Sequence, residues 1–584
     1  MSQKPFRLAI TMAGAVSAGA YTAGVMDYLL EALEEWEKRR GQRDIPSHRV
    51  VIPILGGASA GGMTAILAAS TVNNPITPVP FPNASNMFNE HPENKLYHSW
   101  VDLIGKDMFP KMLDPSDIQS QKIISLLNSQ FIDDIANKMI RADAKRWRAA
   151  PAYFEMPLKI FTTLSNLEGF AYNVDMIAGR GRAKYNMSVH NDYACFELFE
   201  NTIPTKNTPG WIPLNFNINE NLDTARSAAM ATGAFPVGLR SREVLRKSED
   251  ISEIKWHKEM LTSHPLKPGI IKTLNIDGGM INNEPFEKVR ELLDDDTKLA
   301  HAAEFANATQ QETDELLKQI NSQFSQFENT VVMIDPFPSQ DPKPFDFSPG
   351  LLNVIEKTLA AMTSQMRAKP KDYETAMETA DASRFMISPS RKVENKHGIL
   401  EDRLGETAIA SGTLGGFSGF ISKEFRIHDY YLGRYNCEVF LRDYFVVPEV
   451  DMLANPIFRD GYKDIDTSSY VSEYEGQLSY PIIPLFTERT PPNELPMPVF
   501  SAGSNWPKTT TAVVDAFKKP LKIRIEKLLL NVTKLSKFSN FLVLAGARIV
   551  LNRTIANMVQ NTIKKSLNDW GLLTDYDGKE ENGD

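Results

Sequence analysis

A chain of 584 residues is longer than one hydrophobic core usually serves, so one large catalytic domain with additions, or two to three domains, is expected. Its 42% hydrophobic and 23% charged residues, with 36 Pro and 33 Gly, belong to a folded globular protein and exclude a disordered or repetitive one. A net charge of −9 argues against a general nucleic-acid binder, and Cys195 and Cys437, far apart in the chain, exclude a disulfide framework or a zinc ribbon and fit a reducing compartment.

Met1 to Arg7 lacks the basic-then-apolar order of a secretory signal, so a cytoplasmic location is expected. Arg7 to Met12 reads as a short buried strand that yields at Gly14 to small residues and then to a helix with Val25, Leu29, Leu33 and Trp36 on one face. Arg49 to Leu55 is a second strand, cut off by Gly56-Gly57, after which Met63, Ile66 and Leu67 recur at helical spacing. Strand and helix in alternation predict an α/β fold with a mainly parallel sheet.

Residues 71–150 read as an insertion over the sheet edge, mostly helical from Leu96 to Arg148 and placed to act as a lid. Leu158 to Leu164 and Gly269 to Ile276 return to strand character, and Thr330 to Ile334 is read as the strand at which the core closes. The catalytic domain is accordingly set at 1–340, with a helical and mixed extension at 341–486 and a Pro-rich connector at 487–510. Basic amphipathic helices at 511–568 and an acidic disordered tail at 569–584 complete the chain.

Between the second strand and its helix stands Gly56-Gly57-Ala58-Ser59-Ala60-Gly61-Gly62, a G-x-S-x-G in strand-turn-helix context. Such a turn holds its serine in a strained backbone conformation that only tiny neighbours tolerate, with Gly57 and Gly61 flanking it here. It also sets the hydroxyl at a helix N-terminus, where a developing oxyanion is favoured. A packed Gly-rich turn is the plainer alternative.

An acyl-transfer serine needs amide donors for the tetrahedral oxygen, each contributing roughly 3 kcal/mol. The segment Gly14-Ala15-Val16-Ser17-Ala18-Gly19 supplies them, because parallel strands one and two end on the same edge. It lacks the spacing of a dinucleotide fingerprint. The proton acceptor is assigned to Asp277 in Leu274-Asn-Ile-Asp-Gly-Gly-Met-Ile-Asn-Asn-Glu-Pro, where a strand delivers a carboxylate into a glycine turn, although Asp-Gly-Gly alone is often a plain turn. His428-Asp429 invites a triad, but neighbours on an extended chain point apart. That pair, and His190 with Asp192, are read as structural, as are Arg426 and Arg434, which could otherwise hold a phosphate.

In order, spacing and context these three segments resemble the patatin-like phospholipase family, in particular its longer bacterial members, as does Ala231-Thr-Gly-Ala-Phe-Pro. The resemblance covers residues 7 to 290. It implies a three-layer α/β sandwich and a Ser–Asp dyad without histidine, with Ser59 as nucleophile, Asp277 as base, and Gly14, Ala15, Val16, Ser17 and Gly19 around the oxyanion. No metal or cofactor is called for. This loop departs from the family's G-G-G-x-[RK]-G, having Ala15 and Val16 at glycine positions and Ala18 at the basic one. Leu414-Gly-Gly-Phe-Ser-Gly-Phe and Phe425 to Arg434 are also similar to the longer bacterial members.

The implied activity is hydrolysis of lipid or phospholipid esters, with transacylation by the same dyad or non-catalytic lipid binding as rivals. From Lys518 to Lys565 eleven Lys or Arg stand against Glu526, +10, which leaves the rest at −19. There Leu521, Ile525, Leu528, Val532 and Leu535 form one apolar stripe, and Leu551, Ile555, Met558 and Ile563 a second. These stripes meet either an anionic membrane surface or the acidic body of the protein itself.

Overall fold

The computed structural model describes residues 4–82, 86–106, 108–118, 123–178, 181–338, 347, 384–394, 397–474, 476–486, 496–534 and 541–575. Its main sheet has nine strands: β1 (Phe6–Met12), β2 (Val50–Gly57), β3 (Phe154–Ala178), β4 (Gly181–Leu198), β5 (Ile212–Leu214), β6 (Arg242–Lys247), β7 (Ile270–Asp277), β8 (Asn329–Ile334) and β9 (Arg384–Ile387). The order is β5-β4-β3-β2-β1-β8-β9, with β7 paired to β3 and β6 outside that path. The run β3-β2-β1-β8-β9 is parallel throughout. Every residue of β2 is buried, as expected of a parallel strand covered by helices on both faces.

The sheet does not end at β8. Val331 to Ile334 pair with β9, so a strand 50 residues further along the chain extends the edge. The short apolar run Phe385-Met386-Ile387 gave no periodicity strong enough to announce it. The described part of 96–148 is helical over more than half of its residues, as expected, but in short pieces of which Gln130–Met139 is the longest.

The helix Gly19–Arg39 is buried on every side from Gly19 to Leu30, where a one-sided stripe was expected. Its second side is covered by the helix Lys423–Val439. Gly24 permits that approach, since a Cβ there would lie 1.9 Å from the Tyr430 carbonyl oxygen. Arg434 reaches across to Asp27 and to Glu31, 2.5 Å away, so it is the structural ion pair expected. His428 and Asp429 lie on this helix, not on an extended chain, and His428 Nδ1 is 2.8 Å from Asp429 Oδ1. The carboxylate also accepts the amides of Ala410 and Ser411, so both side chains are spent on holding a buried loop. Asp192 is likewise paired, with the buried Arg246.

The C-terminal helices Lys518–Lys534 and Phe541–Asp569 form a second apolar cluster with Leu113, Ile421 and Phe425. Leu521 and Ile525 face inward as the first stripe requires, and between them Arg524 makes a fork to Asp117, 2.8 and 3.1 Å. Of the second stripe Ile563 is buried and Ile555 packs against the cluster, joined by Ala556, Gln560 and Leu567, while Met558 is exposed and the side chain of Leu551 lies outside the described residues. Leu535 lies outside the described residues, as do 487–495 of the connector and 576–584 of the acidic end. Among the described residues no helix is long and apolar enough to cross a membrane.

Candidate active site

Ser59 is separated from β2 by Ala58 alone and directly precedes the helix Ala60–Ala69. Its backbone has φ +50° and ψ −126°, a conformation most side chains avoid, so the strained elbow inferred from the glycine pattern is present. Gly61 makes the turn feasible, because a Cβ on it would stand 2.1 Å from the Met12 carbonyl oxygen at the end of β1. The amide of Ser59 donates to Thr232 Oγ1 at 2.8 Å. That hydroxyl belongs to the Ala231-to-Pro236 segment, whose position was legible in the sequence but whose task was not.

Ser59 Oγ donates to Asp277 Oδ2 at 2.7 Å, and both residues are buried. Asp277 ends β7 opposite Leu164 of β3, and three further bonds hold it. Its amide donates to the Ala234 carbonyl at 2.9 Å, its carbonyl accepts Ser165 Oγ at 2.8 Å, and Oδ1 accepts the Gly279 amide at 2.8 Å. One carboxylate oxygen is thereby fixed by the glycine turn while the other is left to the serine.

Gly14 lies against the nucleophile: a Cβ there would come within 2.8 Å of Ser59 Cβ. Of the loop amides, that of Gly14 donates to the Asn283 carbonyl at 3.3 Å and that of Gly19 to carbonyls of its own turn. Among the described residues the amides of Ala15, Val16 and Ser17 meet no such backbone acceptor, and the first two of these stand where the family usually has glycine. Val16 has φ +50°, an unusual conformation for a β-branched residue. It is held from behind by the loop Leu414–Phe420: Ser17 Oγ donates to the Gly416 carbonyl, and Gly416 packs on Val16. Ser17 therefore points away from Ser59. Asn283 and the 414–420 loop were not assigned to the site from sequence, although both lie in segments singled out there.

Ser59 and Asp277 line a narrow pocket of about 60 Å³. Its remaining wall is almost entirely apolar, with Met63, Leu67, Trp100, Ile104, Phe131 and Phe235 prominent. Among the described residues no histidine lines it. Trp100, Ile104 and Phe131 come from the 71–150 insertion, which is anchored to the later helix by ions. Lys423 Nζ donates to Asp102 Oδ1 at 2.8 Å, and His98 Nδ1 is 3.1 Å from Asp102 Oδ2. Burial pushes the Asp102 carboxyl up, but the bonds from His98 and Lys423 outweigh it and hold the group below its ordinary value. Arg426 is fully buried and spends its donors on the carbonyls of Gly419, Val101 and Gly105, so it is a brace rather than a phosphate ligand or an ion pair. Burial lowers it to about 9.

Residues 10–290 match the family described as Patatin-like phospholipase. This stretch is similar to a patatin-like phospholipase domain, which supports a lipid acyl hydrolase acting on a lipid substrate. The chain is also 29% identical to an uncharacterized protein, y4iI, of Sinorhizobium fredii (strain NBRC 101917 / NGR234), over 98% of this chain and 83% of that one. The similarity to y4iI thus extends through the C-terminal helices, well past the patatin-like domain.

Proposed function

We propose that the chain cleaves carboxylic esters of phospholipids or lysophospholipids through an acyl-enzyme on Ser59, with Asp277 as the only proton acceptor. The observation that supports this reading is the 2.7 Å bond from Ser59 Oγ to Asp277 Oδ2 in the wall of an apolar pocket. A carboxylate is several pKa units less basic than an alkoxide, so proton transfer accompanies attack on the acyl carbonyl rather than preceding it. The Ala15 and Val16 amides, with the N-terminus of Ala60–Ala69, receive the oxyanion. Asp277 passes its proton to the departing alcohol, then takes one from the water that releases the fatty acid. The apolar wall accepts the acyl chain, whose burial contributes about 0.8 kcal/mol per methylene.

A cytoplasmic protein with peripheral membrane contact fits this reading. The outward side of Lys518–Lys534, where Lys519, Ile523 and Lys527 are exposed, is a part of the basic segment available to an anionic bilayer.

The test is hydrolysis of a phospholipid and lysophospholipid panel by wild type, Ser59→Ala and Asp277→Asn, with fluorophosphonate labelling in parallel. Turnover and labelling are expected in wild type alone, Ser59→Ala losing roughly 10⁵-fold or more. Wild-type rates in both variants would remove the assignment.

A further inference from the structure

A second pocket lies away from Ser59, where the hairpin of β10 (Ser390–Glu394) and β11 (Leu400–Leu404) meets the segments 504–508 and 569–571. The antiparallel register sets Arg391 directly opposite Arg403. Like charges facing one another across strands oppose folding unless something neutralises them. Lys392 has Asp402 opposite it, but neither arginine forms an ion pair with a carboxylate among the described residues. The Arg391 guanidinium lies 3.7 Å from the centre of the Trp506 ring, and its Nε is buried with no hydrogen-bond partner. Burial, and then the charge of Arg403, draw Arg391 down to about 10. Trp506 is itself fixed, donating its indole N–H to the Trp570 carbonyl at 3.2 Å.

The pocket has a volume of about 780 Å³, and its charged lining is Arg391, Lys392, Arg403 and Lys508 against Glu394 and Asp569. That volume is large enough for a small organic molecule. Guanidinium forks match phosphate oxygens in pairs, and the two tryptophans offer an apolar side to whatever carries the phosphate.

We propose that this pocket recognises a phosphate group, on a soluble phosphorylated compound or on a lipid headgroup, through Arg391, Arg403 and Lys508. The inference is independent of the hydrolase reading, because no residue of the Ser59 pocket takes part. A ligand here joins three segments distant in the chain, so its binding raises thermal stability.

Full-length protein and its Ser59→Ala variant are titrated with inorganic phosphate and pyrophosphate, against sodium chloride at equal ionic strength, by calorimetry and thermal unfolding. Saturable binding and a higher unfolding temperature are expected in both proteins. Arg403 is exposed, so Arg403→Gln leaves the fold intact. It is expected to weaken binding about tenfold or more, while Glu394→Gln, which removes a competing carboxylate, tightens it. Ser59→Ala protein and phosphatidylcholine vesicles containing phosphatidic acid identify the source. Capture that Arg403→Gln abolishes marks a headgroup, and phosphate binding without such capture marks a soluble ligand. The proposal is overturned if neither anion binds saturably and no capture depends on Arg403, or if Arg403→Gln binds as wild type does.

Discussion

The sheet edge that carries Ser59 and Asp277 and the layer packed over it differ in how far their partners lie apart in the chain. At the edge, the conformation of each catalytic group is set locally, by a serine at positive φ and by Gly279 donating to the Asp277 carboxylate two residues away, although the two groups themselves lie 218 positions apart. In the layer above, Lys423 holds Asp102, Arg426 holds Gly105, Arg524 holds Asp117 and Ser17 holds Gly416, pairs separated by 321 to 407 positions. The chemistry is therefore written in short motifs, while the shape of the pocket around it depends on chain that lies beyond residue 410. A truncated chain confined to residues 10–290 would keep the dyad and lose the braces of the apolar wall.

Four substitutions can break or sharpen this contrast. The largest effect belongs to the edge: Asp277→Asn keeps the shape of the side chain but not its basicity, and kcat on a soluble short-chain ester should fall about 10⁴-fold with little change in unfolding temperature. In the covering layer the order reverses. Arg524→Ala leaves Asp117 and the Ser125 carbonyl without their buried partner, and unfolding free energy should drop by about 4 kcal/mol while the remaining folded protein keeps its kcat. A loss below about 1 kcal/mol would mean that the C-terminal helices are an appendage rather than part of the core. His48 gives a pH-dependent version of the same test, since it is buried among Trp36, Phe458 and Tyr462 where early and late chain meet.

Burial lowers His48 to about 4, and its Nδ1 has no acceptor to receive a proton. Between pH 6.5 and 4 the unfolded chain binds a proton at this residue that the folded protein refuses, so stability falls as pH falls through that window and is unaffected above it. The contribution is roughly 3 kcal/mol at the acid end. His257 and His428, also held down by burial, act with the same sign. His48→Phe should therefore flatten, without abolishing, the loss of unfolding temperature between about pH 7 and 4.5. An unchanged slope would show that His48 takes up its proton in place.

How much was legible follows the same division. Strand, turn and helix around Ser59, the carboxylate at the end of β7, and the amide loop after β1 were all readable, because each rests on steric rules acting over a few residues. Thr232 and Asn283 stood in the right segments, yet a hydroxyl accepting one amide and a carbonyl accepting another leave no spacing signature. β9 escaped because three apolar residues carry no period, and the burial of Gly19–Leu30 on all sides escaped because it is caused by a helix that begins about 400 residues later. His428 and Asp429 are structural for a reason other than the divergence of neighbours on an extended chain: a helix carries both, and they hold a buried loop. The exposure of Met558 has a similar origin, since the helix Phe541–Asp569 turns Ala556 and Gln560 inward beside Ile555 and Ile563 to fit its neighbours.

Ser17 is where the two kinds of encoding meet, and it offers the finest test. Its position in the amide loop was readable, but its hydroxyl works at long range, donating to the Gly416 carbonyl and so backing the strained Val16 that lines the pocket. Ser17→Ala removes that bond and should cost about 1 kcal/mol of stability. If the bond also fixes where the amides point, kcat falls about tenfold while KM moves less than about twofold, because an oxyanion donor acts on the transition state and not on substrate binding. Fluorophosphonate labelling, which needs the same donors, should slow in proportion. Lost stability with unchanged kcat would instead mean that packing of Gly416 on Val16 suffices to hold the loop, and that the late segment contributes shape to the pocket but nothing to its electrostatics.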